Sequence, residues 1–158
     1  DIATNGRLKY GASPMKYGVD PKTTGEDSQI DWIIYRYADV LTLLSEAIVR
    51  DKGSVTQEAI DLLNQVRNRA GLKAFEFTSF SNTDDFLDKL LLERGHELFF
   101  EGCRRQDLIR YGKYVKAIKE KYQLAGETTL INENMERYPL PSSLIDEGKG
   151  MIIQNPGY

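Results

Sequence analysis

The residues best suited to chemistry lie close together between positions 93 and 107. This stretch contains His96 and Cys103, which are the only histidine and the only cysteine of the 158-residue chain. It also contains four carboxylates and three arginines. Side chains of these types are used in three kinds of site: a metal centre, a nucleophilic cysteine and an acid–base pair of carboxylates.

A metal centre would depend on Glu93 and His96, which are three residues apart and share a helix face. This is the Glu-x-x-His spacing of di-iron helix bundles, but such a bundle needs a second copy and further glutamates. The zinc metalloprotease motif needs two histidines four residues apart. Since the chain has one histidine, we predict no metal and no cofactor, and we interpret His96 as a packed or partly exposed side chain.

A nucleophilic cysteine would depend on Cys103, which is followed by Arg104 and Arg105. Neighbouring positive charges favour the reactive thiolate. Nucleophilic catalysis also needs a base. The one histidine, His96, is seven residues away, about two turns of continuous helix, and Gly102 interrupts the stretch between them. We therefore interpret Cys103 as a buried, inert thiol.

The carboxylates allow an acid–base interpretation, because two carboxylates with opposed roles suffice for glycoside hydrolysis. However, Glu97 and Glu101 are four residues apart on one predicted helix, and arginines follow directly. Interlocking ion pairs at a helix corner explain this pattern more simply. We predict no catalytic residue, and a structural network made of Arg36, Asp39, Glu97, Glu101, Arg104 and Asp107.

Aromatic side chains are a further candidate for binding, and they make up 10% of the chain. Trp32, Tyr35 and Tyr37 lie around the start of the first predicted helix, and Tyr10 and Tyr17 lie in the preceding loop. Aromatic faces stack on sugar rings, so Trp32, Tyr10 and Tyr17 are the candidate glycan-binding residues. The interpretation that we favour for Trp32 and Tyr37 is that they belong to the core.

Composition limits the class of protein. A chain of 158 residues with 41% hydrophobic content is suited to a single globular domain spanning residues 1–158. Its net charge of −3 gives no basic excess to favour nucleic acid. No apolar run approaches the roughly 18 residues needed to cross a bilayer, and the start is not a secretory signal. The opening "DIATNGRLKYG" has no initiator methionine, which predicts a domain excised from a longer protein.

Apolar spacing predicts four helices. They cover residues 33–50, 56–70, 83–101 and 103–122. The first helix is predicted to bury one apolar face, made of Tyr37, Val40, Leu41, Leu44, Ala47 and Ile48. Gly112 is predicted to break or kink the fourth, because an interior glycine costs about 1 kcal/mol relative to alanine.

These elements predict an all-α fold of two helical hairpins, 33–70 and 83–122. The first hairpin loosely follows the tetratricopeptide pattern, with Ala47 and Ala59 where small residues let paired helices approach. Residues 1–30 are predicted to form a long N-terminal loop. The tail from residue 123 on holds three of the five prolines, so we predict loop there and no long helix.

Four stretches, in order, resemble the C-terminal part of the SusD/RagB family of surface nutrient-binding lipoproteins. They are "RYADVLTLLSEA", "AIDLLNQVRNRAGL", "LLLERGHELFFEGCRRQDLIRYGK" and "YPLPSSLIDEGKGMIIQNPGY". The chain departs from the family pattern at Gly95, Arg105, Gln106 and Leu144, all at packing corners. Together, the four stretches extend the resemblance over residues 30–158.

The resemblance implies a structural role for the charged stretch, in which Glu97, Glu101, Arg104 and Asp107 tie a helical turn to its neighbours. It also implies a longer complete protein with a secretory signal and an upstream lipidated cysteine, which is not Cys103. Family members sit at the outer-membrane cell surface, bind glycan or peptide nutrients, and cover a SusC-like TonB-dependent transporter. Their ligand platform is built largely from loops that precede this region.

The predicted function is thus non-enzymatic capture of a nutrient glycan, an oligosaccharide, and its delivery to that transporter. Two alternatives stay open. One is a helical adaptor module that binds a peptide or protein partner. The other is a glycosidase built on Glu97 and Glu101.

Overall fold

The computed structural model describes residues 16–18, 20–22, 29–124, 126 and 131–158. All regular secondary structure within these residues is helical, which confirms the all-α prediction. Most of the predicted N-terminal loop, including Tyr10, lies outside the described residues. The chain divides into two compact units, Asp1–Cys103 and Arg104–Tyr158, here called the first unit and the second unit.

Among its described residues, the first unit contains three α-helices. They are α1 (Tyr37–Lys52), α2 (Gln57–Arg69) and α3 (Thr83–Glu97), and a 3₁₀ turn at Phe77–Ser79 precedes α3. Local chemistry defines their ends. Gly53 ends α1 in the left-handed conformation with φ 64°. The hydroxyl of Thr56 accepts a hydrogen bond from the amide of Ala59 at 3.2 Å, which caps α2. Asn82 caps α3 in the same way.

The helices α1 and α2 form a hairpin, and α3 packs against both. Six completely buried side chains from the three helices make the core: Val49, Ala59, Ile60, Leu63, Phe86 and Leu90. Phe80 extends the core at its edge, with its ring centroid 4.8 Å from that of Phe86 in an edge-to-face arrangement. The first predicted hairpin is therefore present, and the apolar stripe of α2 forms the centre of the unit.

The predicted apolar face of α1 is wrong. Of its six residues only Leu41 is buried, and Tyr37 is 70% exposed. The buried side of α1 instead carries Asp39, Leu41, Thr42, Ser45, Glu46 and Val49. Polar side chains can be buried there because they have partners: the hydroxyl of Ser45 donates to the carbonyl of Ala59 at 2.7 Å.

The placement of Trp32 and Tyr37 in the core is wrong as well. Trp32 is 56% exposed and lies in the non-helical segment that precedes α1. The first helix begins at Tyr37 rather than at residue 33, because Arg36 is extended, with φ −145° and ψ 164°. Apolar spacing alone counts the run before the helix as helical, although these residues are not helical here.

Helix ends also differ further along the chain. Helix α3 ends at Glu97 rather than at residue 101. In the turn that follows, Phe100 has φ 66° and Gly102 has φ 82°. The predicted break at Gly112 is confirmed: its φ is 64°, and it separates two helices, α4 (Arg104–Arg110) and α5 (Tyr114–Leu124).

The second unit contains α4, α5, a 3₁₀ turn at Glu133–Glu136 and α6 (Ser142–Glu147). The prediction of loop throughout the tail is wrong at these two short helical elements. No residue of α5 or α6 is buried. Among the described residues, no helix combines the length and the apolarity that crossing a membrane requires.

Polar contacts hold the end of the chain in place within the second unit. The side chain of Gln154 accepts from the amide of Leu140 at 2.8 Å and donates to the carbonyl of the same residue at 2.9 Å. Asn155 donates to the carbonyl of Tyr138 at 2.7 Å. The guanidinium of Arg105 lies 4.1 Å from the centre of the Tyr138 ring, a cation–π contact.

Candidate functional site

Two of the candidate glycan-binding residues lie against each other. The rings of Tyr17 and Trp32 are stacked, with centroids 4.6 Å apart and planes at 16°. Trp32 is more than half exposed and Tyr17 is half-buried. The third candidate, Tyr10, lies outside the described residues. This aromatic pair, Tyr17 with Trp32, presents a flat apolar surface on which a sugar ring can stack.

The segment that carries the aromatic pair is closed by Asp20. Its carboxylate accepts one hydrogen bond from the amide of Lys22 at 2.9 Å and another from the amide of Gln29 at 2.7 Å. Nine residues separate Asp20 from Gln29 along the chain. One side chain thereby fixes the distance between the part that carries Tyr17 and the part that leads to Trp32.

A cluster of charged side chains, which we call the charged corner, brings two carboxylates together with three cations. Its members are Lys16, Arg36, Arg69, Glu97 and Glu101. Arg36 donates to Glu101 through Nε at 2.7 Å and through Nη2 at 3.0 Å, and it also pairs with Glu97. Arg69 donates to Glu97 Oε1 at 2.7 Å. Paired, multiply bonded guanidinium and carboxylate groups of this kind are strong and directional.

Lys16 joins the corner from the N-terminal segment. Its ammonium pairs with Glu101 and donates to the carbonyl of Glu97 at 2.6 Å and to that of Phe99 at 3.1 Å. Carbonyls at the C-terminal end of a helix carry partial negative charge and favour a cation. Lys16 thus binds both the end of α3 and the turn after it.

The corner also shifts the titration of its groups. Burial by itself would raise the pKa of Glu101, but the hydrogen bonds and positive charges of Arg36 and Lys16 outweigh it and hold that pKa below its usual range. The hydrogen bond that Arg36 donates to Glu101 raises the pKa of the guanidinium, against the opposite effect of burial. Both groups are therefore charged over the physiological range.

A second buried charge pair lies between α1 and α3. Arg94 is 2% exposed, and its Nη2 lies 2.8 Å from Asp39 Oδ1. Its Nη1 donates to the hydroxyl of Thr42 at 2.6 Å. Sequence reasoning missed Arg94, although a signal was present: it lies four residues from both Leu90 and Leu98, on the buried stripe of α3, where an arginine requires a partner.

Three of the six residues of the predicted network share one cluster. Arg36, Glu97 and Glu101 come together in the charged corner. Asp39 pairs with Arg94 instead. Asp107 pairs with Arg110 at 2.9 Å within the second unit, and Arg104 begins α4 there. Lys16, which also belongs to the corner, was not predicted, because nothing local in the sequence connects it to α3.

This geometry does not support an acid–base pair, a nucleophilic cysteine or a metal centre. A glycosidase general acid needs a raised pKa, whereas the pKa of Glu101 is held low. His96 is exposed, and Cys103 is half-buried rather than buried. No group of three or more His, Cys, Asp or Glu side chains in the described part of the chain could hold a metal ion. The corner therefore suits the joining of segments rather than chemistry.

Comparison with known proteins gives the family. The model of the SusD family matches residues 3–158. The chain belongs to the SusD family. This confirms the resemblance that the four sequence stretches indicated. The family is one of carbohydrate-binding proteins rather than enzymes, and the prediction of a non-enzymatic protein agrees with it.

Two curated relatives illustrate the match. SusD-like protein P38 of Formosa agariphila is 37% identical over 92 residues, covering 54% of this chain and 18% of that protein. Starch-binding protein SusD of Bacteroides thetaiotaomicron is 29% identical over 147 residues, covering 92% of this chain and 23% of that protein. The chain therefore spans about a fifth of the length of these two SusD family proteins.

Solved structures share the fold. A SusD homolog from Bacteroides thetaiotaomicron superposes with a TM-score of 0.77 and 30% identity, covering 91% of this chain and 30% of that one. Surface glycan-binding protein A from the same organism, in complex with laminarihexaose, superposes with a TM-score of 0.65 and 32% identity, covering 82% of this chain and 26% of that one. The helical architecture of this SusD family chain is thus that of the family.

Proposed function

We propose that this SusD family chain is the C-terminal part of a longer surface lipoprotein of the outer membrane. That protein captures a nutrient oligosaccharide without changing it chemically and delivers it to a SusC-like TonB-dependent transporter. The observation that carries the proposal is the family match over residues 3–158. One relative is a starch-binding protein, and one similar structure holds laminarihexaose.

A longer protein is supported by the outer surface of α1 and the segment before it. Ile34, Tyr35 and Tyr37 are at least 70% exposed, and Val40 is also exposed. Next to them, between α1 and α2, lies a cavity of about 380 Å³ whose floor includes Leu41. An apolar surface of this kind marks a contact with another protein surface, and the relatives have the additional polypeptide to cover it.

Within the chain itself, the aromatic pair is the proposed sugar contact. Trp32 offers an exposed ring face, and Tyr17 backs it. A single stacking contact contributes on the order of 1 kcal/mol. Further contacts from the remainder of the protein are then needed for tight capture, so the chain by itself binds weakly.

The proposed sugar contact is tested by titrating the chain with laminarihexaose and, separately, with maltohexaose. Trp32 is the only tryptophan, so a change in tryptophan emission reports on this ring alone. Calorimetry then compares Trp32→Ala with Tyr35→Ala, a matched removal of another exposed aromatic. We expect Trp32→Ala to abolish the heat of binding and Tyr35→Ala to leave it unchanged. Equal heats for both variants and the unaltered chain would remove Trp32 from the proposal.

The proposed location is tested by measuring the intact mass of the native protein recovered from the membrane fraction of its cell. We expect a species much heavier than the 18.0 kDa of this chain, with a diacylated N-terminal cysteine.

A second candidate function, the adaptor module, is favoured by the same exposed side of α1. A soluble native species near 18.0 kDa that co-elutes with a protein partner would establish it in place of the surface lipoprotein.

A further inference from the structure

The aromatic pair is assembled from two segments that are not helical. Tyr17 lies in a bend of the N-terminal segment, and Trp32 lies in the segment before α1. Fifteen residues separate them, and neither ring is among the buried residues of the core. Rings on such segments stay stacked only if other contacts hold both segments, since free loops lose conformational entropy on ordering.

Each ring has a cation of the charged corner nearby in the chain. Lys16 directly precedes Tyr17, so their Cα atoms are about 3.8 Å apart. Arg36 follows Trp32 by four residues, which limits their separation to about 14 Å even in a fully extended chain. Lys16 and Arg36 are therefore the cations of the corner that lie close to the pair in the chain, one on each of its two segments.

Both cations bind the same carboxylate. Lys16 and Arg36 each form an ion pair with Glu101, and Arg36 uses two of its nitrogens for it, at 2.7 and 3.0 Å. The carboxylate of Glu97 pairs with Arg36 and Arg69, whereas the ion pair of Lys16 is with Glu101. Glu101 is thus a side chain that connects the two segments at their outer ends, in addition to the connection that Asp20 makes through Gln29.

The backbone around Glu101 is shaped for this contact. Phe100, directly before it, has φ 66°. That conformation is strained for an L-residue with a bulky side chain. The amide of Glu101 donates to the carbonyl of Leu98 at 3.1 Å, which closes the turn. The chain leaves α3 through this strained turn, and Glu101, at 8% exposure, lies where both cations reach it.

We infer that Glu101 is a positioning residue for the Tyr17–Trp32 pair: it holds the two rings together by binding Lys16 on one segment and Arg36 on the other. One consequence of this inference rests on the proposed function: the affinity for glycan depends on Glu101, which acts through these two cations. The stacking itself does not depend on any ligand.

The experiment is read first without sugar. Glu101→Gln is introduced into the full chain, and the emission maximum of Trp32 and its quenching by acrylamide are measured. Tyr17→Ala sets the size of the signal when the ring partner is lost. We expect Glu101→Gln to shift the emission to longer wavelength and to raise quenching by at least half of the change that Tyr17→Ala produces.

The matched control is Glu93→Gln. Glu93 is also a glutamate of the α3 region, is equally buried at 8% exposure, and pairs with Arg67 away from the corner. We expect it to leave the emission and quenching of Trp32 unchanged. Unaltered quenching in a folded Glu101→Gln chain, or the same shift in Glu93→Gln, would overturn the inference. Far-ultraviolet circular dichroism checks that each variant is folded.

A second pair of variants decides the matter if Glu101→Gln does not fold. Lys16→Met removes one of the two cations, at an exposed position, whereas Lys16→Arg keeps the charge. We expect Lys16→Met to raise quenching of Trp32 and Lys16→Arg to restore most of the original value. Equal quenching in the two variants contradicts the inference.

The sugar titration then separates the two proposals. Weaker laminarihexaose binding in Glu101→Gln, with quenching increased, supports both. Increased quenching in a chain that binds no sugar at all supports the positioning role and contradicts the proposed sugar contact. Full sugar binding in Glu101→Gln with unchanged quenching contradicts the positioning role alone.

Discussion

In the first unit, six apolar side chains from α1, α2 and α3 form a core that is completely removed from solvent, whereas in the second unit no residue of α5 or α6 is buried. The first unit is organised by apolar burial, which contributes roughly 25 cal/mol for each Å² removed from water. The second unit buries fewer apolar side chains, among them Leu108 and Ile131, and depends more on side chains that bind main-chain groups, such as Gln154 on Leu140 and Asn155 on Tyr138. Two units of one chain thus depend on different forces and should respond differently to substitution.

The largest expected effect is the truncation of Phe86, at the centre of the first unit. Phe86→Ala removes a completely buried ring, so we expect a loss of about 3–5 kcal/mol in the free energy of unfolding. Urea denaturation measures it. The control is Leu124→Ala in α5, where the side chain is 90% exposed and no measurable loss is expected. Similar losses from both substitutions would contradict the contrast between the units.

The next effect tests the charged part of the first unit. Arg94→Met leaves the buried carboxylate of Asp39 without its ion-pair partner, so we expect a loss of about 3 kcal/mol. Arg69→Met, at an arginine of the corner that is largely exposed, should cost less than about 1 kcal/mol. If the two losses were equal, the burial of the Arg94–Asp39 pair would have no energetic importance.

A smaller loss in the free energy of unfolding is expected from a substitution in the second unit. Gln154→Ala removes two hydrogen bonds to Leu140, for which we expect a loss of about 1 kcal/mol. Hydrogen exchange should show faster exchange at the amide of Leu140, with α2 of the first unit unaffected. Gln154→Glu keeps the acceptor and loses the donor. Its free energy of unfolding should lie between those of Gln154→Ala and the unaltered chain. A loss that spread to α2 would mean that the units unfold together.

The smallest effect is one of pH and concerns the charged corner. Because the pKa of Glu101 is lower in the folded chain than in the unfolded chain, the group stabilises the fold above its unfolded pKa. That contribution is lost as pH falls through the folded pKa. We therefore expect Glu101→Gln to melt at a lower temperature than the unaltered chain at neutral pH, with the difference narrowing in acid. A difference that stays constant down to strongly acidic pH would disprove the assignment.

The accuracy of the sequence predictions follows the same contrast. Helix α2 was predicted closely, since apolar spacing is a local signal. The buried face of α1 was not, because Thr42, Ser45 and Glu46 read as solvent-facing when only apolar residues are counted. Their burial depends on partners that sequence spacing does not reveal.

The candidate site was predicted in parts. Tyr17 and Trp32 were named for their chemistry, but their stacking depends on segments brought together in three dimensions. Lys16 lies 81 residues from Glu97, whose carbonyl it binds. No periodicity connects positions so far apart, so the corner that joins them follows only from the folded chain.

The polar side chains on the buried side of α1 have a consequence for how the helices are aligned. An interface made only of aliphatic side chains lets neighbouring helices slide along each other at small cost, because apolar contact has no direction. Hydrogen bonds, in contrast, form only at one position along the helix axis. Ser45 donates to the carbonyl of Ala59 on α2, and Thr42 accepts from the guanidinium of Arg94 on α3. Displacement by one turn, about 5.4 Å, would break both contacts together. The register of α1 along its axis is therefore set by hydrogen bonds, and volume-conserving changes in the core around Val49 should leave that register unaltered.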